Sequence, residues 1–235
     1  MEYDIEHRPS YALLSVDLNQ SEELQAEAGA MVSHTDGITI DTKAQGGIVD
    51  SLKRTAFGGE SFFMNTFSAD RPGHVTLAPP LPGDVIGKEL ADERLLVQSG
   101  SFLAAESGID IDTKFGGGRT FFGGEGLFLL ELSGTGRTFL SSYGAIERVD
   151  LDPGETYTVD TGHIVAFEGT TNFDVKKVGG LKSTLFSGEG LVCEFSGEGS
   201  VWLQTRSTDA FLSWLIPNLP AGDGGDHDEG FSINF

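Results

Sequence analysis

The chain has 235 residues and a mass of 25.0 kDa, room for one large all-β domain or two average ones. Lys+Arg 15 against Asp+Glu 36 gives a net charge of −21, a surface that repels phosphate backbones unless charge is strongly segregated. Seventeen phenylalanines in a chain that is 38% hydrophobic exclude disorder throughout, and a single cysteine, Cys193, excludes an intrachain disulfide and fits a reducing compartment.

The segment Met1–Glu6 lacks the basic and apolar regions of a signal peptide, and no run of about 18 apolar residues is present to form a transmembrane helix. The expectation is a cytoplasmic protein, with peripheral membrane association left open. The acids are spread along the chain among seven lysines and eight arginines. At molar salt the Debye length falls to about 3 Å and such self-repulsion is screened, so the charge reads as a halophile's.

The predicted elements fall into three similar units, at about residues 3–80, 81–148 and 149–216. The first carries Gly29 ahead of Met31-Val32, and Gly37-Ile38-Thr39-Ile40-Asp41-Thr42-Lys43, whose alternation predicts a half-buried strand. It continues with Arg54-Thr55-Ala56-Phe57-Gly58-Gly59-Glu60, then Gly73 and Leu77, and ends at the turn Pro82-Gly83-Asp84. The second has Gly100 ahead of Phe102-Leu103, Gly108-Ile109-Asp110-Ile111-Asp112-Thr113-Lys114 and Arg119-Thr120-Phe121-Phe122-Gly123-Gly124-Glu125. Phe128, Leu130 and Leu132 then line one strand face opposite Glu131, before the turn Ser133-Gly134-Thr135-Gly136 and Leu140. The third has Gly162, Ile164-Val165, a degraded Thr171-Asn172-Phe173-Asp174-Val175-Lys176-Lys177 and Ser183-Thr184-Leu185-Phe186-Ser187-Gly188-Glu189. Leu191, Cys193 and Phe195 alternate with Glu194 ahead of Ser196-Gly197-Glu198-Gly199 and Leu203. The three glutamates lie 65 and 64 residues apart; Gly73, Gly136 and Gly199 are spaced by 63 and 63. The fold class expected is all-β: three β-meander or sandwich units packed round a pseudo-threefold axis, since one such sheet cannot bury its apolar face alone.

A short helix is predicted over Thr208–Ile216, capped by Ser207 or Thr208 and ended by Pro217, its Phe211, Trp214 and Leu215 turned onto the last sheet. The tail 217–235 is acidic and glycine-rich, with Asp223, Asp226, Asp228 and Glu229, and is expected to be mostly disordered. Its end, Gly230–Phe235, alternates like a strand able to add to an exposed sheet edge.

The repeated Gly-Glu turns are the most specific feature. Threefold symmetry would bring Glu60, Glu125 and Glu189 into a carboxylate ring suited to a hard divalent cation. The plainer reading makes Gly59, Gly124, Gly188, Gly73, Gly136 and Gly199 structural turn positions with the glutamates exposed beside them, and no metal is then expected. Gly180-Leu181-Lys182-Ser183-Thr184 fails as a phosphate loop because Leu stands where glycine must precede the lysine. The five histidines show no H-x-x-x-H spacing, no G-x-S-x-G elbow occurs, and Cys193 reads as a small core hydrophobe, so neither catalytic residues nor a cofactor are expected.

These repeated strings, with Phe-Gly-Gly-Glu at 57–60 and 122–125 and the Ser-Gly-x-Gly turns, resemble prokaryotic relatives of the "altered inheritance of mitochondria" family over roughly residues 3–217. With the charge, the likeness is to a haloarchaeal member. The resemblance implies a fold like the tryptophan RNA-binding attenuation protein; its eukaryotic members are mitochondrial and associated with inner-membrane organisation and respiratory-complex integrity. RNA is nevertheless not expected as a ligand, because no Lys/Arg cluster with interleaved aromatics is present. The function expected is a non-enzymatic binding or scaffold protein presenting loops to protein partners, with a homo-oligomer left open; the alternative is a small-ligand or divalent-cation module using the repeated turns.

Overall fold

Alternating apolar residues and closely spaced turns leave this chain one economical structure, antiparallel strands, and the computed structural model describes them over residues 1–44, 63–112, 127–177 and 191–219. After β1 (Glu2–Glu6), the first group is β2 (Leu13–Leu18), β3 (Glu23–Glu27), β4 (Met31–His34), β5 (Ile38–Ala44), β6 (Phe63–Ala69) and β7 (Gly73–Leu77). Here β7 lies between β2 and β4, and β6 between β3 and β5. The second group is β8 (Val85–Ala91), β9 (Leu95–Gln98), β10 (Phe102–Glu106), β11 (Ile109–Asp112) and the long β12 (Leu129–Ser141). The first part of β12 lies between β9 and β11, the second between β8 and β10. The third group is β13 (Ile146–Leu151), β14 (Thr156–Asp160), β15 (Ile164–Glu168), β16 (Asn172–Lys177), β17 (Leu191–Ser196) and β18 (Gly199–Gln204), with β18 between β13 and β15 and β17 between β14 and β16.

Two local details recur with this order. The pairings of β4, β10 and β15 each shift register once, between Met31 and Ser33, Phe102 and Ala104, and Ile164 and Ala166. One residue is left over each time, Val32, Leu103 or Val165, as in a β-bulge. Just beyond, a side-chain oxygen accepts a backbone N–H from the neighbouring hairpin: Thr35 Oγ1 from His74 at 2.8 Å, Glu106 Oε2 from Arg137 at 3.0 Å and Glu168 Oε2 from Ser200 at 3.2 Å.

Strand pairs also join the groups. β3 pairs with β10, Ala26 opposite Ala104, and β9 pairs with β15, Val97 opposite Ala166. No strand pair joins the third group to the first among the described residues; β4 and β14 each end their sheets. The inward alternation is strict on β17, whereas β10 and β15, covered on both faces, are buried over four successive residues. Leu191, Cys193 and Phe195 are buried on β17 while Val192, Glu194 and Ser196 are half-buried, and Phe167 packs at 4.9 Å and 5.0 Å from the rings of Phe173 and Phe195. Each such fully buried side chain contributes roughly 1.5–3 kcal/mol.

The helix differs from its prediction. α1 spans Thr208–Asn218, with Ser207 Oγ accepting from Ala210 N, and runs through Pro217 instead of stopping before it. Pro217 offers no N–H, and the last turn is closed by Leu219 N donating to Ile216 O at 3.3 Å. No helix residue is buried, and Trp214 is 63% exposed. Ala210, Leu212 and Ile216 interleave with Phe211, Trp214 and Leu215, so apolar residues stand on all sides, and of the expected three only Leu215 is half-buried. Leu212 and Leu215 are half-buried, and Phe211 meets the Tyr143 ring edge-on at 6.0 Å.

Candidate functional site

Where β3 ends at Glu27 and β9 at Gln98, the chain turns back on glycines, and the third group does the same after Asp160. These turns, the chain leaving β7 and β12, and the first turn of α1 enclose a polar cavity of about 260 Å³. Glu27, Pro80, Gln98, Ser142, Gly162 and Asp209 are among its walls. The walls are braced by their own hydrogen bonds. Gln204 Oε1 accepts from Tyr143 N at 2.8 Å, Gln204 Nε2 donates to Gly162 O at 2.9 Å, and Asp160 Oδ1 accepts from Gly162 N at 2.8 Å. Ser142 Oγ donates to Gly144 O at 2.6 Å.

Glu27 is the exception. Its carboxyl is half-buried with no hydrogen-bond partner among the described residues, and burial pushes its pKa up to about 7. The cavity can therefore offer either a proton or a lone pair near neutrality. Among the described residues no His, Cys, Lys or Arg lines it, so these supply neither a Ser–His or Cys–His pair nor a cation for an anionic ligand. Its chemistry suits a small neutral or cationic polar molecule.

A second, open cleft collects Asp150, Asp152, Glu168 and Glu198. Two of these carboxylates are already engaged. Asp150 accepts from Ser200 Oγ and Arg148 Nε, each at 2.7 Å, and these bonds hold its carboxyl below the usual range. Glu168 takes Lys88 at 3.3 Å and the Ser200 N–H. No group of three or more His, Cys, Asp or Glu side chains is placed to hold a metal ion among the described residues.

The residues singled out from the sequence divide sharply. Glu60, Glu125, Glu189, Gly59, Gly124 and Gly188 lie outside the described residues, in the spans that join β5 to β6, β11 to β12 and β16 to β17. Gly136 and Gly199 stand in their hairpins at φ +148° and +151°, a region L side chains rarely adopt. Gly73 has no positive φ; its reason is proximity, since a Cβ there would lie 2.8 Å from Ile38 Cδ1. Cys193 is fully buried, and burial, with the Asp174 charge second, pushes its thiol up to about 12. Glu27 was not singled out. Its signal is its place two residues before a repeated glycine, shared with Gln98 before Gly100 and Asp160 before Gly162.

Several cations among the described residues are engaged too. Arg8, Arg71, Lys88, Arg137, Arg148 and Lys176 each face a carboxylate, and Arg137 and Lys88 also lie over the rings of Tyr3 and Trp202 at 4.6 Å and 4.9 Å. Residues 3–206 match the family model described as mitochondrial biogenesis AIM24. The chain belongs to that family. A similar relative is an uncharacterised protein of Streptococcus pyogenes serotype M6, 29% identical over 228 residues, covering 94% of this chain and 92% of the relative. A crystal structure of another Streptococcus pyogenes protein superposes with a TM-score of 0.80 at 29% identity, over 93% of this chain and 99% of that one. The fold, mostly strands with one short helix among the described residues, is thus similar to that of a bacterial chain along nearly its whole length. No helix among the described residues is long and apolar enough to cross a membrane.

Proposed function

We propose that this AIM24 protein is a non-enzymatic scaffold: one domain over residues 1–216, built from three copies of a six-strand unit about a pseudo-threefold axis, that presents its connecting loops to protein partners. The observation that carries this reading is the single pairing plan found in all three groups, down to the extra residue at Val32, Leu103 and Val165. In each group the same two successive strands are joined by a glycine-rich connection, the one that bears Glu60, Glu125 or Glu189. A scaffold with repeated connections meets partners through loops on a rigid frame. The net charge of −21 argues against a nucleic-acid partner, which needs an excess of basic groups to neutralise phosphates. Affinity capture of the full chain from its native cells at high salt tests the reading; defined, stoichiometric protein partners support it, and their absence contradicts it.

The polar cavity favours a second reading, a small-ligand module centred on Glu27. Titration calorimetry with Ca²⁺ and Mg²⁺ on the unmodified chain and Glu125→Gln separates it from a cation ring at the repeated turns: heat lost only in the variant assigns the ion to the ring. The charge of −21 supports adaptation to a salt-rich interior. Unfolding in dilute buffer with recovery in molar KCl is the expected behaviour, and full stability without salt contradicts it.

A further inference from the structure

Two of the three links between groups are strand pairs, and they are made alike. In the first, Ala104, Ala105 and Glu106 of β10 stand opposite Ala26, Gln25 and Leu24 of β3. In the second, Ala166, Phe167 and Glu168 of β15 stand opposite Val97, Leu96 and Leu95 of β9. Each time the strand carrying the bulge receives the second strand of the preceding group. Among the described residues the strand left without such a neighbour is β4, and the second strand left without a bulged one is β14.

The exposures follow. Phe102, Leu103, Ala104 and Ala105 are wholly buried, as are Val165, Ala166 and Phe167, whereas Met31 is 40% and Val32 57% exposed and Ser33 and His34 are exposed too. An unpaired strand edge is a template for another strand, and the usual guards against this are charge, proline or a bulge. Met31-Val32-Ser33-His34 has no proline, lysine or acid. Its bulge is no guard either, because β10 and β15 pair on that side with the same bulge in place.

We propose that β4 of one copy pairs antiparallel with β14 of a second copy of this chain, joining copies head to tail. The proposal rests on the three-unit reading above. The shared registers fix the pairing. Ser33 corresponds to Ala104 and Ala166, each opposite the β7, β12 or β18 residue one position before a repeated leucine. Val159 corresponds to Val97 through its partner Cys193, as Val97 does through Leu130. Ser33 then faces Val159 of the partner subunit, His34 faces Thr158 of the partner subunit, and Thr35 faces Tyr157 of the partner subunit. Each chain carries one edge of each kind, so the contact is heterologous and propagates into a ring or a filament. Copies of net charge −21 repel each other, so assembly strengthens as salt rises.

The test uses His34→Cys and Thr158→Cys in separate full-length chains; both positions are exposed, and Cys193 is buried, so the unmodified protein is the blank. Directly opposed residues of an antiparallel pair sit about 4.5–5.5 Å apart at Cα, within disulfide range. Mixing the two variants under mild oxidation at molar KCl gives the mixed disulfide dimer, while neither variant alone dimerises above the blank. The double variant gives a ladder of cross-linked chains. Gln25→Cys with Ala105→Cys, paired within the chain, is the control for geometry. A double variant that closes within one chain overturns the proposal, as does failure of the mixed dimer when the control closes. Unmodified protein that sediments at 25.0 kDa at every concentration and salt also overturns it. Partner capture failing while the mixed dimer forms contradicts the scaffold role alone.

Discussion

β4 and β10 follow one plan and meet opposite fates. Both carry an apolar pair two residues after a repeated glycine, both take a bulge at the second of that pair, and both flank the last hairpin strand of their group. Yet Phe102 and Leu103 see no solvent while Met31 and Val32 are 40% and 57% exposed. The difference lies in the neighbour. β3 and the β12 sheet close over β10, and nothing equivalent covers β4 among the described residues. Burial is a property of the pair of elements, and a strand's own sequence sets only its readiness to be buried.

Core truncation breaks this comparison most strongly. Phe102→Ala is expected to cost about 3–5 kcal/mol and lower the thermal midpoint by about 10 °C, against less than about 1 kcal/mol for Met31→Ala in dilute protein. Equal losses would mean that β4 is covered in the free chain.

The covered side is held a second way. Arg8 Nε and Nη2 reach Asp84 Oδ1 and Oδ2 at 2.7 Å and 2.9 Å, and the Asp84 side chain is only 4% exposed. Arg8→Ala leaves that buried carboxylate supported by the Val85 N–H and without its cation, and costs about 2–3 kcal/mol, measured by denaturant unfolding. The loss should be only partly reduced at high salt, because Asp84 is buried while the Arg8 side chain is 47% exposed.

Glu27 closes β3, the strand that covers β10. Its carboxyl keeps its proton to about pH 7 in the fold against an ordinary value of 4.5, so between these values the native state binds more protons than the unfolded chain. Stability therefore falls as pH rises from about 4.5 to about 7 and is level in this respect above. Glu27→Gln removes that slope and gains about 2 kcal/mol at pH 8, a figure discounted for the part of the side chain that meets water. A variant with the parent's pH profile contradicts this assignment. The smallest signal comes from Cys193. With its thiol pushed up to about 12, it should stay unlabelled by iodoacetamide in the native protein at pH 8 and react on unfolding.

The strands were largely legible because a half-buried strand writes its period of two into the sequence, as Leu191, Cys193 and Phe195 do; on β5 the strand is present but only Ile38 is buried, and Ile40 is 40% exposed. The family resemblance carried by the Gly-rich strings agrees with the family model over residues 3–206. Three things were not legible. The helix was expected to bury Phe211, Trp214 and Leu215, but apolar residues on all its sides hide which stripe, if any, faces inward. The cavity at Glu27 is assembled from turns far apart in the chain, and only its position before a glycine hinted at a shared role. The open edge of β4 is a statement about a missing neighbour, which no local pattern can carry. The candidate ring of Glu60, Glu125 and Glu189 lies outside the described residues.

Hydrogen exchange read by mass spectrometry tests most directly whether equivalent strands differ only in their neighbours. In dilute protein, peptides covering residues 31–35 should exchange quickly and those covering 102–106 and 164–168 slowly, and raising protein concentration and KCl should slow 31–35 and 156–160 together. Residues 31–35 as protected as 102–106 in dilute protein, or unprotected at every concentration, would contradict the account.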